Sequence, residues 1–424
     1  MPPHLVASSA FPETAKETRW SDRLAQRAVA SQASVIRELL KLTQKPDIIS
    51  FAGGLPAPEI FPVAEVREAC ERVLRDHGAE ALQYSPTEGY PPLRELLVRH
   101  MKRYGIDVDV PNVVVTTGSQ QALDLIGRVL INPGDRVLCE EPTYLGALQA
   151  WNAYQAQYLA VPIDDDGLRV ELLEQAMRAG PKFLYVLPNF QNPAGVTLSL
   201  DRRHALVAMA SHYGVPIVED DPYGQLRYEG EHLPSIVALD AEFHGCAHGE
   251  RTFRGDVLYL GTLSKTLAPG LRIGWIVAPE EIVKRIVQMK QGADLHSSTF
   301  AQAVAYEVAR GGFLDRHVQH IRSVYRERRD AMLAALDRWF PRTVRWTRPQ
   351  GGLFLWLSLP EGVNTTELLH DALAEKVAFV PGGSFFPGRV DAPHCRLNFS
   401  HSSPDRIEEG IRRLSLVVAR RLRA

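Results

Sequence analysis

The stretch GTLSKTLAPGLRIGW, residues 261–275, places Lys265 at the end of a predicted strand, with Ser264 before it and Arg272 seven residues after it. Most lysines are solvated and need no such neighbours. The apolar runs DVLYLGT and LRIGWIVA, which precede and follow the lysine, are both typical of buried strands. Lys265 is therefore predicted at the edge of a sheet, where α/β proteins bind their ligands.

Short apolar runs alternate with helical periods from about residue 111 onward. NVVVTT is strand-like, and SQQALDLIGRVL, which follows it, repeats apolar residues at the helical spacing. LDRRHALVAMASHYG is a further predicted helix, which we expect to end at Gly214. Other strand candidates are DRVLCEEP, AQYLAVPI, KFLYVLPN and VPIVEDD. The alternation predicts an α/β fold with a mainly parallel sheet that is covered by helices on both faces.

The pattern changes after residue 295. FLDRHVQHIRSVYRERRDAMLAALDRWF predicts one long helix, VRWTRPQGGLFLWLSLP predicts two strands around a Gly-Gly turn, and a last helix begins at Pro404. We expect the chain to divide into four segments. They are a disordered arm (1–18), an N-terminal segment that packs with the small domain (19–50), a large α/β domain (51–310) and a small α+β domain (311–424).

The composition indicates a cytoplasmic protein that binds neither nucleic acid nor membrane. Hydrophobic residues make up 45% and charged residues 23% of the chain, with a formal net charge of -2 and no basic block. No stretch approaches the roughly 20 apolar residues that span a bilayer, and no signal peptide is recognisable. The cysteines at 70, 139, 246 and 395 are far apart, which predicts neither disulfides nor a zinc ribbon.

Polar residues follow several predicted strands. TTGSQQ turns from strand to helix, so the free N–H groups of Ser119 and Gln120 suit a phosphate, although an ordinary N-cap explains this turn better when it is taken alone. Asn192-Pro193 in PNFQNPAG is by itself a turn signal. VEDDPYG (218–224) closes another strand with three carboxylates; it is either a solvated turn or draws at least one carboxylate inward.

One cofactor, pyridoxal 5′-phosphate (PLP), uses all these groups together. It needs a lysine amine for covalent attachment, an anion site for its phosphate, and a carboxylate that keeps its ring nitrogen protonated. A carboxylate about 3 Å from a pyridinium gains on the order of 5 kcal/mol at an effective dielectric constant of about 20, before desolvation. The strand-end motifs taken together therefore favour a PLP site over a set of unrelated turns.

The chain resembles the class I/II aminotransferases of fold type I, in the branch that contains 2-aminoadipate and kynurenine aminotransferases. The resemblance covers about residues 31–415 and rests on FAGGLPAPEIFP, YSPTEGYPPLRELL, TTGSQQALDL, PNFQNPAG, VEDDPYG, SKTLAPGLRIGW and RLNFS, which occur in the expected order. It implies a large domain with a mainly parallel seven-stranded sheet between helices, and a smaller α+β domain. The stretch 239–256 is longer than the family's usual connection; its His244, Cys246 and His248 are interpreted as loop residues rather than a metal site.

The resemblance also implies the roles of the cofactor-binding residues. Lys265 would hold the cofactor and shuttle a proton, and Asp220 would face the ring nitrogen. Asn192 and Tyr223 would bind the ring's phenolic oxygen, and Tyr144 would stack on the ring. The phosphate would be surrounded by Ser119, Gln120, Thr262, Ser264 and Arg272. Position 262 is more often serine in the family, but threonine keeps the hydroxyl.

Substrate recognition and assembly are implied in the same way. Arg396 would grip the substrate α-carboxylate through a bidentate pair, Asn192 would also contact the substrate, and Gly54 would close over the substrate. Tyr84 resembles a tyrosine that reaches the phosphate of the neighbouring subunit, which implies a homodimer. Ser34 and Arg37 share one face of a predicted helix, where Arg37 either binds an acidic side chain or is a surface arginine.

The implied reaction is a ping-pong transfer of an amino group from an L-amino acid to a 2-oxo acid such as 2-oxoglutarate. Candidate donors are 2-aminoadipate, glutamate, and aromatic or aliphatic amino acids. A valine or alanine–pyruvate aminotransferase, a β-lyase and a decarboxylase on the same scaffold stay open. Some bacterial transcription regulators carry this fold behind a DNA-binding domain; we do not expect one, because only about 30 residues precede the shared region.

Overall fold

The computed structural model describes residues 18–30, 47–245, 253, 255–388 and 393–423. Ser34 and Arg37, and the helix predicted around them, lie outside these ranges, as do Cys246, His248 and nearly all of the predicted arm. The strands are β1 (Ile49–Ser50), β2 (Val113–Thr117), β3 (Arg136–Glu141), β4 (Gln157–Asp164), β5 (Gly167–Leu168), β6 (Leu184–Val186), β7 (Ile217–Asp220), β8 (Val257–Thr262), β9 (Ile273–Val277), β10 (Arg345–Trp346), β11 (Phe354–Ser358), β12 (Val377–Ala378), β13 (Val380–Pro381) and β14 (His394–Asn398).

The α-helices are α1 (Gln26–Ala30), α2 (Val63–Ala81), α3 (Pro91–Lys102), α4 (Ser119–Leu130), α5 (Leu145–Asn152), α6 (Leu173–Arg178), α7 (Leu200–Tyr213), α8 (Ile236–Phe243), α9 (Glu280–Gln291), α10 (Thr299–Ala309), α11 (Phe313–Trp339), α12 (Thr365–Ala374) and α13 (Pro404–Arg421). No helix in the described ranges is both long and apolar enough to cross a membrane.

A large sheet has the strand order β2-β9-β8-β7-β6-β3-β4-β5. Neighbours from β8 to β4 pair in parallel, whereas β9 is antiparallel to both β2 and β8. The mainly parallel α/β sheet is thus confirmed. Among the described residues it has eight strands rather than seven, because the two-residue β5 turns back on β4 and adds an antiparallel edge.

Apolar residues fill both faces of this sheet. Along β2, Val113 and Val115 pack in one hydrophobic cluster and Val114 packs in the other. Successive strand residues point to opposite faces, so a strand that is buried on both sides needs a continuous apolar run. This requirement explains why the large-sheet strands read as apolar runs rather than as alternating patterns.

A smaller antiparallel sheet, β10-β11-β14-β13, is formed near the end of the chain. The long helix α11 contacts α13 beside it. β1 pairs in parallel with β12, with Ile49 opposite Val377, and Ile48, Ile49 and Phe51 join the apolar core of this unit. The chain from residue 48 to 52 therefore packs with the C-terminal unit.

Candidate active site

Three of the predicted residues lie at the carboxyl edge of the large sheet. Asp220 is the last residue of β7, Lys265 follows the end of β8, and Asn192 lies in the loop after β6. β6, β7 and β8 are adjacent and parallel, so their carboxyl ends lie side by side. The fold thereby brings residues that are far apart in sequence to one edge of the sheet.

Asp220 has one bonded and one unpartnered oxygen. Its side chain is 3% exposed, and its Oδ2 accepts a hydrogen bond from the Tyr185 hydroxyl at 2.8 Å. Its Oδ1 is buried and has no hydrogen-bond partner within the described residues. Burial raises the pKa of Asp220 to about 7, although the bond from Tyr185 acts in the opposite direction. A buried carboxylate oxygen without a donor is suited to bind a cationic N–H group.

Lys265 is a lysine with a depressed pKa. Its Nζ donates to the carbonyl oxygen of Gly54 at 2.8 Å. Burial lowers the pKa of Lys265 to about 8, with the positive charges of Arg396 and Arg272 acting in the same direction. A lysine whose neutral form is accessible near neutral pH can act as a nucleophile and as a proton carrier.

Arg396 is fixed in a buried aromatic setting. Its Nη1 donates to Asn192 Oδ1 at 2.8 Å and its Nη2 donates to the carbonyl oxygen of Ala52 at 2.9 Å. The guanidinium carbon lies 4.2 Å from the Phe354 ring centre and 5.1 Å from that of Phe385. Burial lowers the pKa of Arg396 to about 10, and Nε has no partner among the residues described. The guanidinium therefore keeps unused donor capacity.

Tyr223 lies beside these groups. It is 4% exposed, and its ring stands perpendicular to that of Phe354 at 5.9 Å between centres. Burial raises the pKa of the Tyr223 hydroxyl, while Arg396 and Asn192 oppose the shift. Tyr223 is therefore a neutral hydrogen-bonding group near Asn192.

Helix α4 begins at a glycine turn that faces the Arg272 guanidinium. Gly118 precedes the helix with φ of 75°, and a Cβ on it would lie 2.4 Å from Nη2 of Arg272. Only glycine therefore fits both this backbone conformation and the close approach of the guanidinium. The Oγ of Ser119 is buried and has no partner in the described part of the chain. Free N–H groups, the helix dipole, this hydroxyl and Arg272 all favour a phosphate here.

The remaining residues of the predicted phosphate site are partly engaged elsewhere. Thr262 Oγ1 lies 3.0 Å from both the Ser264 hydroxyl and the carbonyl oxygen of Ile273. The Gln120 side chain donates to the carbonyl oxygen of Gly146 at 3.0 Å, so it points toward the start of α5. Tyr144 precedes α5, and its ring lies over Gly146, where a Cβ would come within 2.5 Å of it.

Tyr84 is placed differently from the other predicted residues. It is 77% exposed, and its ring stands edge-on to His296 at 5.8 Å between centres. Gly54, in contrast, lies beside Phe354, and its carbonyl oxygen accepts a hydrogen bond from Lys265. The structure therefore places Gly54 beside Lys265 and leaves Tyr84 on the surface.

Sequence reasoning missed Tyr185, Gly118 and Glu219. Tyr185 lies in β6, and a tyrosine in a strand that is buried on both faces needs a partner for its hydroxyl, which was an available signal. Glu219 is fully buried and accepts hydrogen bonds from the backbone N–H groups of Ile236 and Val237 at the start of α8. VEDDPYG is therefore not a solvated turn, because at least Glu219 and Asp220 are drawn inward.

The residues present fit pyridoxal 5′-phosphate. The unpartnered Asp220 oxygen suits a pyridinium, Lys265 suits covalent attachment, and the turn before α4 suits a phosphate. Fold and site together define the class of PLP-dependent transferases of fold type I.

Comparison with known proteins gives the family. Residues 46–414 match the family described as aminotransferase class I and II, and the chain belongs to it. It is 47% identical over 397 residues to aromatic-amino-acid aminotransferase 1 of Thermococcus litoralis, covering 92% of each chain. It is 46% identical over 402 residues to the 2-aminoadipate transaminase of Thermus thermophilus, covering 94% of this chain and 97% of that one.

A solved structure supports the same family assignment. The α-aminoadipate aminotransferase of Thermus thermophilus, complexed with N-(5′-phosphopyridoxyl)-L-leucine, superposes with a TM-score of 0.88 at 43% identity, covering 96% of this chain and 100% of that one. The protein is thus a transaminase whose cofactor is pyridoxal 5′-phosphate.

Proposed function

We propose that the enzyme transfers the amino group of an L-amino acid to a 2-oxo acid such as 2-oxoglutarate by a ping-pong mechanism. The observation that carries this proposal is the electrostatic contact of the buried Lys265 with Arg396, together with the unpartnered oxygen of the buried Asp220. The proposed donors are 2-aminoadipate, glutamate, and aromatic or aliphatic amino acids. They agree with the names of the two relatives, one an aromatic-amino-acid and one a 2-aminoadipate enzyme.

When bound, the cofactor supplies an electron sink for the negative charge that develops at the substrate Cα. Asp220 would hold the protonated ring nitrogen through Oδ1, while Tyr185 fixes the carboxylate through Oδ2. Lys265 would hold the cofactor covalently, and once displaced by substrate its amine would take up and return the proton of the substrate Cα. Its lowered pKa makes the neutral amine available for this step.

The other cofactor contacts follow from position. Asn192 and Tyr223 would donate to the ring's phenolic oxygen, and Tyr144 would stack on the ring. The α4 N-terminus would receive the phosphate, together with Ser119, Gln120, Thr262, Ser264 and Arg272. Tyr84 of the second subunit completes this site, so the functional unit is a homodimer. Its exposure supports a role outside its own cleft.

Arg396 binds the α-carboxylate of the substrate. Ala52 and Asn192 accept hydrogen bonds from its two terminal nitrogens, and the rings of Phe354 and Phe385 pack against the guanidinium. A guanidinium held in this way meets a carboxylate with little loss of side-chain entropy. Gly54 closes over the substrate, and Ser34 and Arg37 select acidic side chains.

We further propose that the protein is cytoplasmic and that its large PLP-binding domain spans about residues 51–310. The packing of β1 against β12 supports the assignment of the preceding segment to the small domain.

A half-reaction screen tests the proposed function. The purified enzyme is mixed with each candidate amino acid without a 2-oxo acid, and the absorbance of the lysine-bound cofactor is followed. A ping-pong aminotransferase loses this absorbance once and regains it when 2-oxoglutarate is added. Continuous release of pyruvate and ammonia from a cysteine conjugate, with no 2-oxo acid required, would instead identify a β-lyase.

A further inference from the structure

Lys290 is a fully buried lysine outside the cofactor cleft. It lies in α9, and its side chain is 0% exposed. Its Nζ bonds both carboxylate oxygens of Asp294 at 2.8 Å, Gln121 Oε1 at 2.9 Å and Ser297 Oγ at 3.0 Å. A buried ammonium is stable only when it is paired and hydrogen-bonded, and these acceptors meet that need.

The acceptors of Lys290 also hold Thr117, the last residue of β2. Gln121 Oε1 accepts the Thr117 backbone N–H at 2.7 Å. The Thr117 hydroxyl lies 2.9 Å from Ser297 Oγ and 3.2 Å from Asp294 Oδ2. Gln121 also donates to Asp294 Oδ2 at 2.6 Å, which closes the network. Thr117 is thus held by three side chains, and each of the three bonds Lys290.

Thr117 begins the turn that presents the anion site. Gly118 and Ser119 follow it directly, and the Thr117 carbonyl oxygen accepts a hydrogen bond from Nη2 of Arg272 at 3.4 Å. Backbone N–H groups and a guanidinium bind an anion well only when they are already aimed at it, because reorienting them costs free energy on binding. The network around Thr117 therefore holds the residue that directly precedes the turn of the proposed phosphate site.

We infer that Lys290 is a positioning residue for the cofactor phosphate. It fixes the β2–α4 turn through Gln121, Asp294 and Ser297, and it does not touch the phosphate. The inference rests on the proposed phosphate site. Because Lys290 and Asp294 together carry no net charge, the effect is on geometry rather than on the electrostatic potential of the site.

The phosphate itself allows a selective test. Cofactor-free wild type, Lys290→Met and a control variant are titrated with PLP and with pyridoxal, which lacks the phosphate, and dissociation constants are measured by absorbance and calorimetry. The control is Lys284→Met, because Lys284 lies in the same helix with a side chain that is 74% exposed. We expect Lys290→Met to bind PLP about 10- to 100-fold more weakly, pyridoxal within about twofold, and Lys284→Met to match wild type.

The Asp294→Asn variant distinguishes a positioning role of Lys290 from an electrostatic one. Removing the carboxylate leaves Lys290 uncompensated, so a purely electrostatic role predicts tighter phosphate binding. A positioning role predicts weaker PLP binding in Asp294→Asn, as in Lys290→Met, with pyridoxal again unaffected. If Lys290→Met does not fold, Ser297→Ala removes only one shared hydroxyl and should weaken PLP binding by about two- to tenfold.

The outcomes distinguish this inference from the proposed site. Equal losses for PLP and pyridoxal, or tighter PLP binding in Asp294→Asn, would overturn the role of Lys290. If wild type itself binds PLP no better than pyridoxal, the proposed phosphate site is wrong, whatever the variants do. Unchanged PLP binding in Lys290→Met alongside a clear wild-type preference for PLP rejects the inference alone.

Discussion

Asp220 illustrates at the residue scale how a binding site opposes stability. Burial raises its pKa to about 7, whereas an aspartate in an unfolded chain has a pKa of about 3.9. Between these values the cofactor-free folded protein binds a proton that the unfolded chain has released. The contribution of Asp220 to stability is therefore present below about pH 4 and is lost as pH rises through about 7.

Asp220→Asn should remove this pH dependence. At pH 8 we expect the free energy of unfolding of the cofactor-free variant to exceed that of wild type by about 1–3 kcal/mol, because no buried charge is left unpaired. At pH 4 the two should be nearly equal, because Asp220 is then protonated. Urea unfolding at both pH values measures the difference. A difference that is the same at pH 4 and pH 8 would refute the assignment of the titration to Asp220.

At the scale of elements, the sequence predicted the helices whose apolar residues repeat at a regular spacing. α4, α11 and the end of α7 at Gly214 agree with the predicted segments, and Gly214 has the expected left-handed conformation at φ 64°. The two-residue β1 and β5 were not predicted, because two residues carry no period. Turn residues and a strand end singled out Ser119 and Lys265, whereas the choice of Asp220 among three neighbouring carboxylates came from the family resemblance.

Buried charges on helices could not be predicted in the same way. Arg203 follows Arg202 in α7, and nothing in the sequence separates them. Arg203 is fully buried and donates to the carbonyl oxygens of Leu198 at 2.9 Å, Pro234 at 2.7 Å and Pro188 at 3.0 Å. Only tertiary folding supplies these acceptors, two of which flank the loop that carries Asn192.

Arg203→Lys should therefore destabilise the protein. A lysine ammonium cannot replace the planar guanidinium, whose N–H groups reach all three carbonyl oxygens. Because buried carbonyl groups then lose their donors, we expect a loss of about 2–4 kcal/mol in the free energy of unfolding. The matched control is Arg202→Lys, because Arg202 pairs with the half-exposed Asp164 at 2.8 Å and should cost less than about 1 kcal/mol. Denaturant unfolding compares the two, and equal losses would show that the carbonyl contacts of Arg203 contribute little.

At the scale of the whole molecule, the proposed homodimer depends on Tyr84. Its ring is 77% exposed in the single chain, which leaves it accessible to a second copy. Tyr84→Phe should weaken cofactor retention by about 1–2 kcal/mol, the scale of one hydrogen bond to a charged group. Equilibrium dialysis of the cofactor together with light scattering checks this. A fully active monomer would contradict the shared site.

The central claim is that Lys265 holds the cofactor in the cleft between Asp220 and Arg396. Borohydride reduction of the holoenzyme, followed by peptide mapping, tests it most directly because reduction makes the lysine linkage permanent. We predict a single pyridoxyl label on Lys265 and its loss when the enzyme is first saturated with an amino donor. A label on any other lysine would contradict the account.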